Sequence, residues 1–256
     1  MVNKEYILNN FSEDDVKEAI KIYENYKLAF EKDITIFSNS FCPPNIWSFF
    51  QENCQNNGFK IVTNGLFQEA ERRVIAFNNK YNTDYPIEVL QIRNKSNFSN
   101  LRHKDYLGAI LSLGIDRNKI GDVVVKEDRA YVPVMEDISI YILNNLAFIG
   151  KSPVEISILY NLEDLPSIDF EEISINVQSL RLDSVVAKLA NISRSKAIEL
   201  LDSSKVLVNY VKSKDKSQEL LKGTRLTIRG NGKYIVGDII GETRSGKQRI
   251  IVKKYV

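Results

Sequence analysis

Between Ile87 and Leu159 the hydrophobic period changes in a definite order, and that order limits the available folds more than any other feature of the chain. Ile87–Ile92 alternates apolar and polar residues as a strand does, while Asp105–Leu113 repeats every three to four residues as a helix does. Val123–Val125 and Ala130–Val134 read as two strands joined by the charged turn Lys126-Glu127-Asp128-Arg129. Asp137–Leu146 is again helical in spacing, and Val154–Leu159 is a last strand. The order β-α-β-β-α-β is a split βαβ arrangement.

Ferredoxin-like and RNA-recognition (RRM-like) domains share that arrangement, and the order by itself does not assign RNA binding. The aromatic-rich strands with which RRMs stack bases are missing, and Tyr131 is the lone aromatic in a comparable place. Upstream, Ser12 is a candidate helix cap and Asp15 a first-turn acid for an amphipathic helix over residues 12–32. Ile34–Phe37 reads as a short strand. Pro43-Pro44 opens a helix that carries Ile46, Trp47 and Phe50 and ends by Gly58, and Phe59–Val62 reads as another strand. These aromatics are read as core. An acidic, proline-containing stretch, Asn161–Glu172, has the composition of a linker. With 256 residues there is room for two or three domains. The expectation is an α+β protein with a mixed α/β region at 1–85, a ferredoxin/RRM-like βαββαβ domain at 86–165 and a further domain at 174–256.

Composition excludes several function classes. No apolar run approaches the ~18 residues that span a bilayer, and the first residues lack the basic start and apolar core of a secretory signal. No membrane partner is expected. Cys42, Cys54 and the single His103 cannot build a four-ligand zinc site, so no metal or cofactor is expected. A Cys42–Cys54 disulfide is possible, but free thiols in a reducing cytoplasm are the expectation. His103 and Asp105 suggest an acid–base pair on paper, yet no nucleophile or phosphate loop accompanies them. Gly230-Asn231-Gly232-Lys233 lacks the spacing of a phosphate loop and suits a hairpin turn.

The net charge of +2 hides an asymmetry. From Ser174 onward there are 17 Lys and Arg against 7 Asp and Glu, a net of +10, while the rest of the chain is −8. Self-repulsion does not help a domain fold, so such a split points to a polyanionic partner. Within that segment Leu182, Val185, Val186 and Leu189 form one helical face. Ser193 is the natural cap of a second helix that buries Ala197, Leu200 and Leu201. Arg194 and Lys196 stand at its positive end, where a phosphate is favoured. Lys205–Asn209 is a strand, followed by a basic loop with Lys212, Lys214 and Lys216. Thr224–Arg229 and Tyr234–Ile240 flank the Gly230–Gly232 turn, and a final hairpin turns at Arg244–Lys247.

These residues resemble the αL (S4-like) RNA-binding domain of a ribosomal protein and many RNA-binding factors. The pattern is Arg181-Leu182-Asp183-x-x-Val186, Ser193-Arg194-Ser195-x-Ala197, Val206-x-Val208-Asn209 and Lys222-Gly223-Thr224, over about residues 174–240. Lys205 departs from it, because many members have glycine before the strand. The resemblance implies RNA contacts from Arg181, Ser193, Arg194, Ser195, Lys196, Lys205, Asn209, Lys212 and Arg225, with Asp183 structural and paired with a nearby arginine.

The run from Arg102 through Gly108, Gly114 and Arg117 to Gly121-Asp122 resembles the central block of the bacterial YlmH family. That resemblance implies a non-enzymatic factor that associates with rRNA and tRNA on the large ribosomal subunit and is linked to stalled nascent chains, with genes near cell-division genes; a monomer is expected. Two readings compete with it. One is an RNA-modifying enzyme, of pseudouridine synthase or methyltransferase type, that uses the αL domain for targeting. Arg181-Leu182-Asp183 echoes the synthase aspartate, but without its preceding glycine. The other is a cell-division interaction protein, which leaves the basic C-terminus without a purpose.

Overall fold

The computed structural model describes residues 3–11 and 13–255, so the cap expected at Ser12 lies outside the described residues. The chain divides into two units, 1–168 and 169–256.

In the first unit, α1 (Lys4–Asn10) is capped by Asn3, whose side chain accepts the Tyr6 N–H at 2.8 Å, and α2 spans Glu13–Lys32. The Pro43-Pro44 signal starts α3 (Pro44–Asn53), which stops at Cys54, short of Gly58. Ile7, Ala19, Ile22, Tyr26, Ile46 and Phe50 close over the three-stranded antiparallel sheet β1 (Ile36–Phe37), β3 (Val74–Phe77) and β2 (Ile61–Asn64), in that order. Sequence periodicity missed β3 because all four of its residues are buried, which leaves no alternation to read. Cys42 and Cys54 are free and buried there, and burial pushes both thiols up to about 12.

The remaining part of this unit follows the expected element order. Its strands are β4 (Ile87–Asn94), β5 (Val124–Lys126), β6 (Arg129–Met135), the short edge strand β7 (Phe148–Ile149) and β8 (Ser152–Ile158). They form one antiparallel sheet in the order β5-β6-β4-β8-β7, and its first four strands have the ferredoxin-like permutation. Leu90, Ile92, Val132, Val134 and Ile156 pack with Tyr106 and Ile110 of α4 (His103–Leu111) and Ile142 of α5 (Glu136–Asn145). His103 is the first residue of α4, and the Asp105 carboxylate accepts the Arg102 N–H at 2.8 Å, so this pair is where a helix is capped.

Residues 1–85 and 86–165 do not separate into two units as expected. The Phe41 N–H donates to the Asn118 carbonyl (2.7 Å), and Asp122 accepts the Glu71 and Arg72 N–H groups at 2.5 and 3.1 Å. A Cβ on Gly121 would lie 2.9 Å from the Phe41 ring and 3.0 Å from Pro133, so only glycine lets the two parts approach. Phe41, Val74 and Met135 form a shared apolar cluster. The run Arg117–Asp122 is therefore a joint between the two parts.

The second unit is a six-stranded antiparallel sheet. It contains β9 (Phe170–Val177), β10 (Val206–Val208), β11 (Val211–Lys212), β12 (Arg225–Ile228), β13 (Gly232–Glu242) and β14 (Gln248–Tyr255), in the order β11-β10-β12-β13-β14-β9. One face is covered by α6 (Leu182–Leu189) and α7 (Arg194–Asp202), which bury Leu182, Val185, Val186, Ala197 and Leu201 on Val206, Leu226, Tyr234 and Val252. The unit begins at residue 169, five before the expected 174. The end of the supposed linker is strand: Phe170–Ile173 pair with Val252–Tyr255, and Glu172 and Glu171 lie opposite Lys253 and Lys254. Counting from 169, the unit holds 17 basic and 10 acidic residues, a net +7, and residues 1–168 carry −5.

Candidate nucleic-acid interface

The α6–α7 corner is built around one buried carboxylate. Asp183 is 2% exposed and lies one residue after the start of α6. Arg194 meets it through Nη2 at 2.8 Å and Nε at 3.0 Å, and Arg181 through Nη2 at 3.2 Å and Nε at 3.3 Å. Burial would raise this carboxyl, but the hydrogen bonds from Arg181 and Arg194 outweigh it and hold it below the usual carboxylate range. The pairing expected for Asp183 is present, and it occupies two of the three arginines that were expected to meet RNA. Arg194 nevertheless remains 58% exposed, leaving part of its guanidinium open to solvent.

The basic loop is fixed to the same corner. The Leu182 and Asp183 N–H groups donate to the Gln218 and Lys216 carbonyls at 2.8 and 3.2 Å, so residues 213–219 supply the cap that the α6 N-terminus needs. Lys216 reaches Asp202 at 3.2 Å. Ser193 caps α7 by accepting the Lys196 N–H at 3.3 Å, with Ser195 exposed on the first turn.

Lys196 and Lys205 line one shallow depression with Ile192, Glu199, Leu200 and Ser203. Ahead of β10 the left-handed residue is Ser204, with φ of 55°, and not Lys205, where many members of the resembled family have glycine. Asn209 and Tyr210 have φ of 46° and 69°, and with Val208 opposite Val211 they make a two-residue hairpin of the primed kind. Asn209 accepts the Arg225 N–H at 2.9 Å through Oδ1 and donates its own N–H to the Arg225 carbonyl at 2.8 Å. Arg225 also donates through Nη1 to the Tyr210 hydroxyl at 3.1 Å. Asn209 and Arg225 thus hold the β10–β11 turn on β12. Tyr210 was not foreseen, because its part in the turn follows from backbone conformation and not from residue type.

Lys196, Lys205, Lys212 and Lys214 are exposed and form no ion pair among the described residues. The structure therefore sorts the expected contacts into a buried-carboxylate clasp (Arg181, Arg194), a helix cap (Ser193), a turn lock (Asn209, Arg225) and open polar groups (Ser195, Lys196, Lys205, Lys212). Open ammonium groups on a packed scaffold suit a sugar–phosphate backbone, which needs charge more than shape.

The central sheet offers no equivalent of an RRM stacking face. Tyr131 packs in a cluster with Phe67, Ala70, Val124, Leu165 and Ile168. Beside it, Arg93 and Arg129 both reach Asp128, at 2.9 and 3.6 Å. Among the described residues no helix is long and apolar enough to cross a membrane, and no group of three or more His, Cys, Asp or Glu is placed to hold a metal ion.

Residues 81–162 match the family model described as "Putative RNA-binding domain in YlmH", and so lie in the first unit, which holds the five-stranded sheet, and not in the basic one. Ribosome-associated protein quality control protein P2 of Bacillus subtilis (strain 168) is 30% identical over 200 residues, covering 76% of this chain and 77% of that protein. The cell division protein ylmH from Streptococcus pneumoniae superposes with a TM-score of 0.49 at 22% identity, over 61% of this chain and 97% of that one. By its sequence kinship across three quarters of its length, the chain belongs to the YlmH family.

Proposed function

We propose that this chain is a non-enzymatic, cytoplasmic RNA-binding protein that acts as a monomer on rRNA and tRNA of the large ribosomal subunit, in quality control of stalled nascent chains. The observation that carries the reading is the set of open ammonium groups at Lys196, Lys205, Lys212 and Lys214, fixed around α7 and the β10–β11 turn in a unit of net charge +7. The name of the Bacillus subtilis relative supports the ribosome as the setting. Arg181 and Arg194 contribute their remaining exposed guanidinium edges, and Ser193, Ser195, Asn209 and Arg225 shape the surface.

Sedimentation of cell lysate on a gradient tests the proposal. The full chain should travel with free large subunits at low salt and return to the top at high salt, because phosphate contacts are displaced by counterions. The double variant Lys196→Glu/Lys205→Glu should stay at the top under both conditions. Co-migration with small subunits alone, or an unaffected double variant, overturns the target or the surface. Loss of a base modification in ribosomal RNA or tRNA on deletion of the gene would instead favour an RNA-modifying enzyme guided by the same domain.

A further inference from the structure

Phe98 is 100% exposed. Its loop, which joins β4 to α4, is nonetheless firmly held. The buried Asn94 donates through Nδ2 to the Ser99 carbonyl and hydroxyl at 2.9 and 3.2 Å, and its Oδ1 accepts the Ser96 N–H at 3.0 Å. The Ser99 hydroxyl lies 2.6 Å from that of the buried Ser152, and the Lys95 N–H donates to the Pro153 carbonyl at 3.0 Å. A loop pinned at this many points keeps a large apolar ring in water, forgoing the stabilisation that burial would provide.

The surroundings indicate what the ring meets. Residues 95–104 contain Lys95, Arg102 and Lys104 and no acid, and all three are exposed. The turn at residues 126–129 adjoins the loop, with the Asn94 N–H on the Asp128 carbonyl at 2.8 Å; of its two acids, Asp128 is taken up by Arg93 and Arg129, and Glu127 is exposed. On the edge strand, Phe148 is 60% exposed and pairs with Pro153, whose carbonyl holds Lys95. An exposed aromatic ring with cations close by in sequence on the same loop and the helix that follows suits an unpaired nucleotide, with the base on the ring and the neighbouring phosphates on the cations. On the sheet face that would otherwise stack bases, Tyr131 is partly buried against Phe67, Ala70 and Val124.

We propose that Phe98 is a stacking platform for an unpaired RNA base, with Lys95, Arg102 and Lys104 holding the adjacent phosphates. This rests on the reading of the chain as an RNA-binding protein and adds a second contact, outside the αL surface.

The test uses the full chain, with binding to a short fluorescent uridine oligonucleotide and to a labelled rRNA hairpin read by anisotropy. Phe98→Ala should bind the oligonucleotide about tenfold more weakly, within the range for loss of one base–aromatic stack. Its salt dependence and melting temperature should be unchanged, because the fully exposed ring supports no packing. Phe98→Trp should restore affinity, and Lys95→Ala should lower the salt slope by roughly 0.7. Equal affinity of Phe98→Ala and wild type overturns the proposal, as does equally weak binding by Phe98→Ala and Phe98→Trp. If the hairpin is bound and the oligonucleotide is not, the stacking site fails while the RNA-binding reading stands. If neither is bound, both fail.

Discussion

A carboxylate as buried as Asp183 is tolerated only while guanidinium groups meet it, and Arg181 and Arg194 both do so. Charge reversal at Arg194 is therefore a poor probe of RNA contact, since it places a second anion beside a buried one. Arg194→Glu should lower folding stability by about 1–3 kcal/mol, the worth of hydrogen bonds to a charged group, in a denaturant titration. Lys196→Glu should leave the melting temperature in place and weaken RNA binding. The pH dependence has a fixed sign. The Asp183 carboxyl is depressed in the folded state, so its contribution is present above the unfolded value of about 3.9 and is lost as pH falls through the lower folded value. The stability gap between wild type and Asp183→Asn should be constant near neutrality and close below about pH 4 in acid-dependent melting. Proximity of Asp183 to arginines was legible from the order of residues 181–194. That the clasp occupies both arginines was not, because eleven positions separate Asp183 from Arg194 and only the α6–α7 crossing brings them together.

At the scale of elements, two boundaries depend on contacts far apart in sequence. Strand β9 looks like linker in isolation, with Glu171, Glu172 and Ser174 interrupting its apolar residues, and becomes a strand because β14 offers it a partner with lysines opposite the glutamates. A fragment of residues 169–256 should accordingly melt cooperatively several degrees above one of residues 174–256, which loses the pairings of Phe170–Ile173. Equal melting temperatures would show that the end of β9 adds nothing to the sheet. The joint at Gly121 is the second case. Gly121→Ala forces a methyl group against the Phe41 ring and Pro133, and should cost about 1–3 kcal/mol as overpacking does. Proteolysis should then cut more readily around residues 65–73, whose Glu71 and Arg72 N–H groups depend on Asp122.

For the whole molecule, the charge split survives in smaller form, +7 against −5, because Asp169, Glu171 and Glu172 belong to the basic unit. Neutralisation of about four to five phosphates should give a slope of log affinity against log salt of roughly −3 to −4. A slope near zero in anisotropy titrations would mean that the basic surface is merely solvated. The acidic balance of residues 1–168 does not extend to the Lys95–Lys104 segment, so net repulsion from RNA and one local point of attachment coexist in the same unit.

The order and type of most elements were determined by the sequence alone, because hydrophobic period is a local property: α2, α3, α4, α5, α6, α7 and the strands of the βαββαβ segment lie close to where their spacing places them. So was the basic character of the C-terminal unit, since charge is counted before folding. Strand β3, with no alternation, and strand β9, with too much charge, needed partners to be recognised. Which cations remain open, which are held by Asp183 or by the β10–β11 turn, and that Tyr131 is partly buried while Phe98 is fully exposed, were decided by tertiary structure. Exposure and pairing depend on residues that the chain brings together only after its elements have packed.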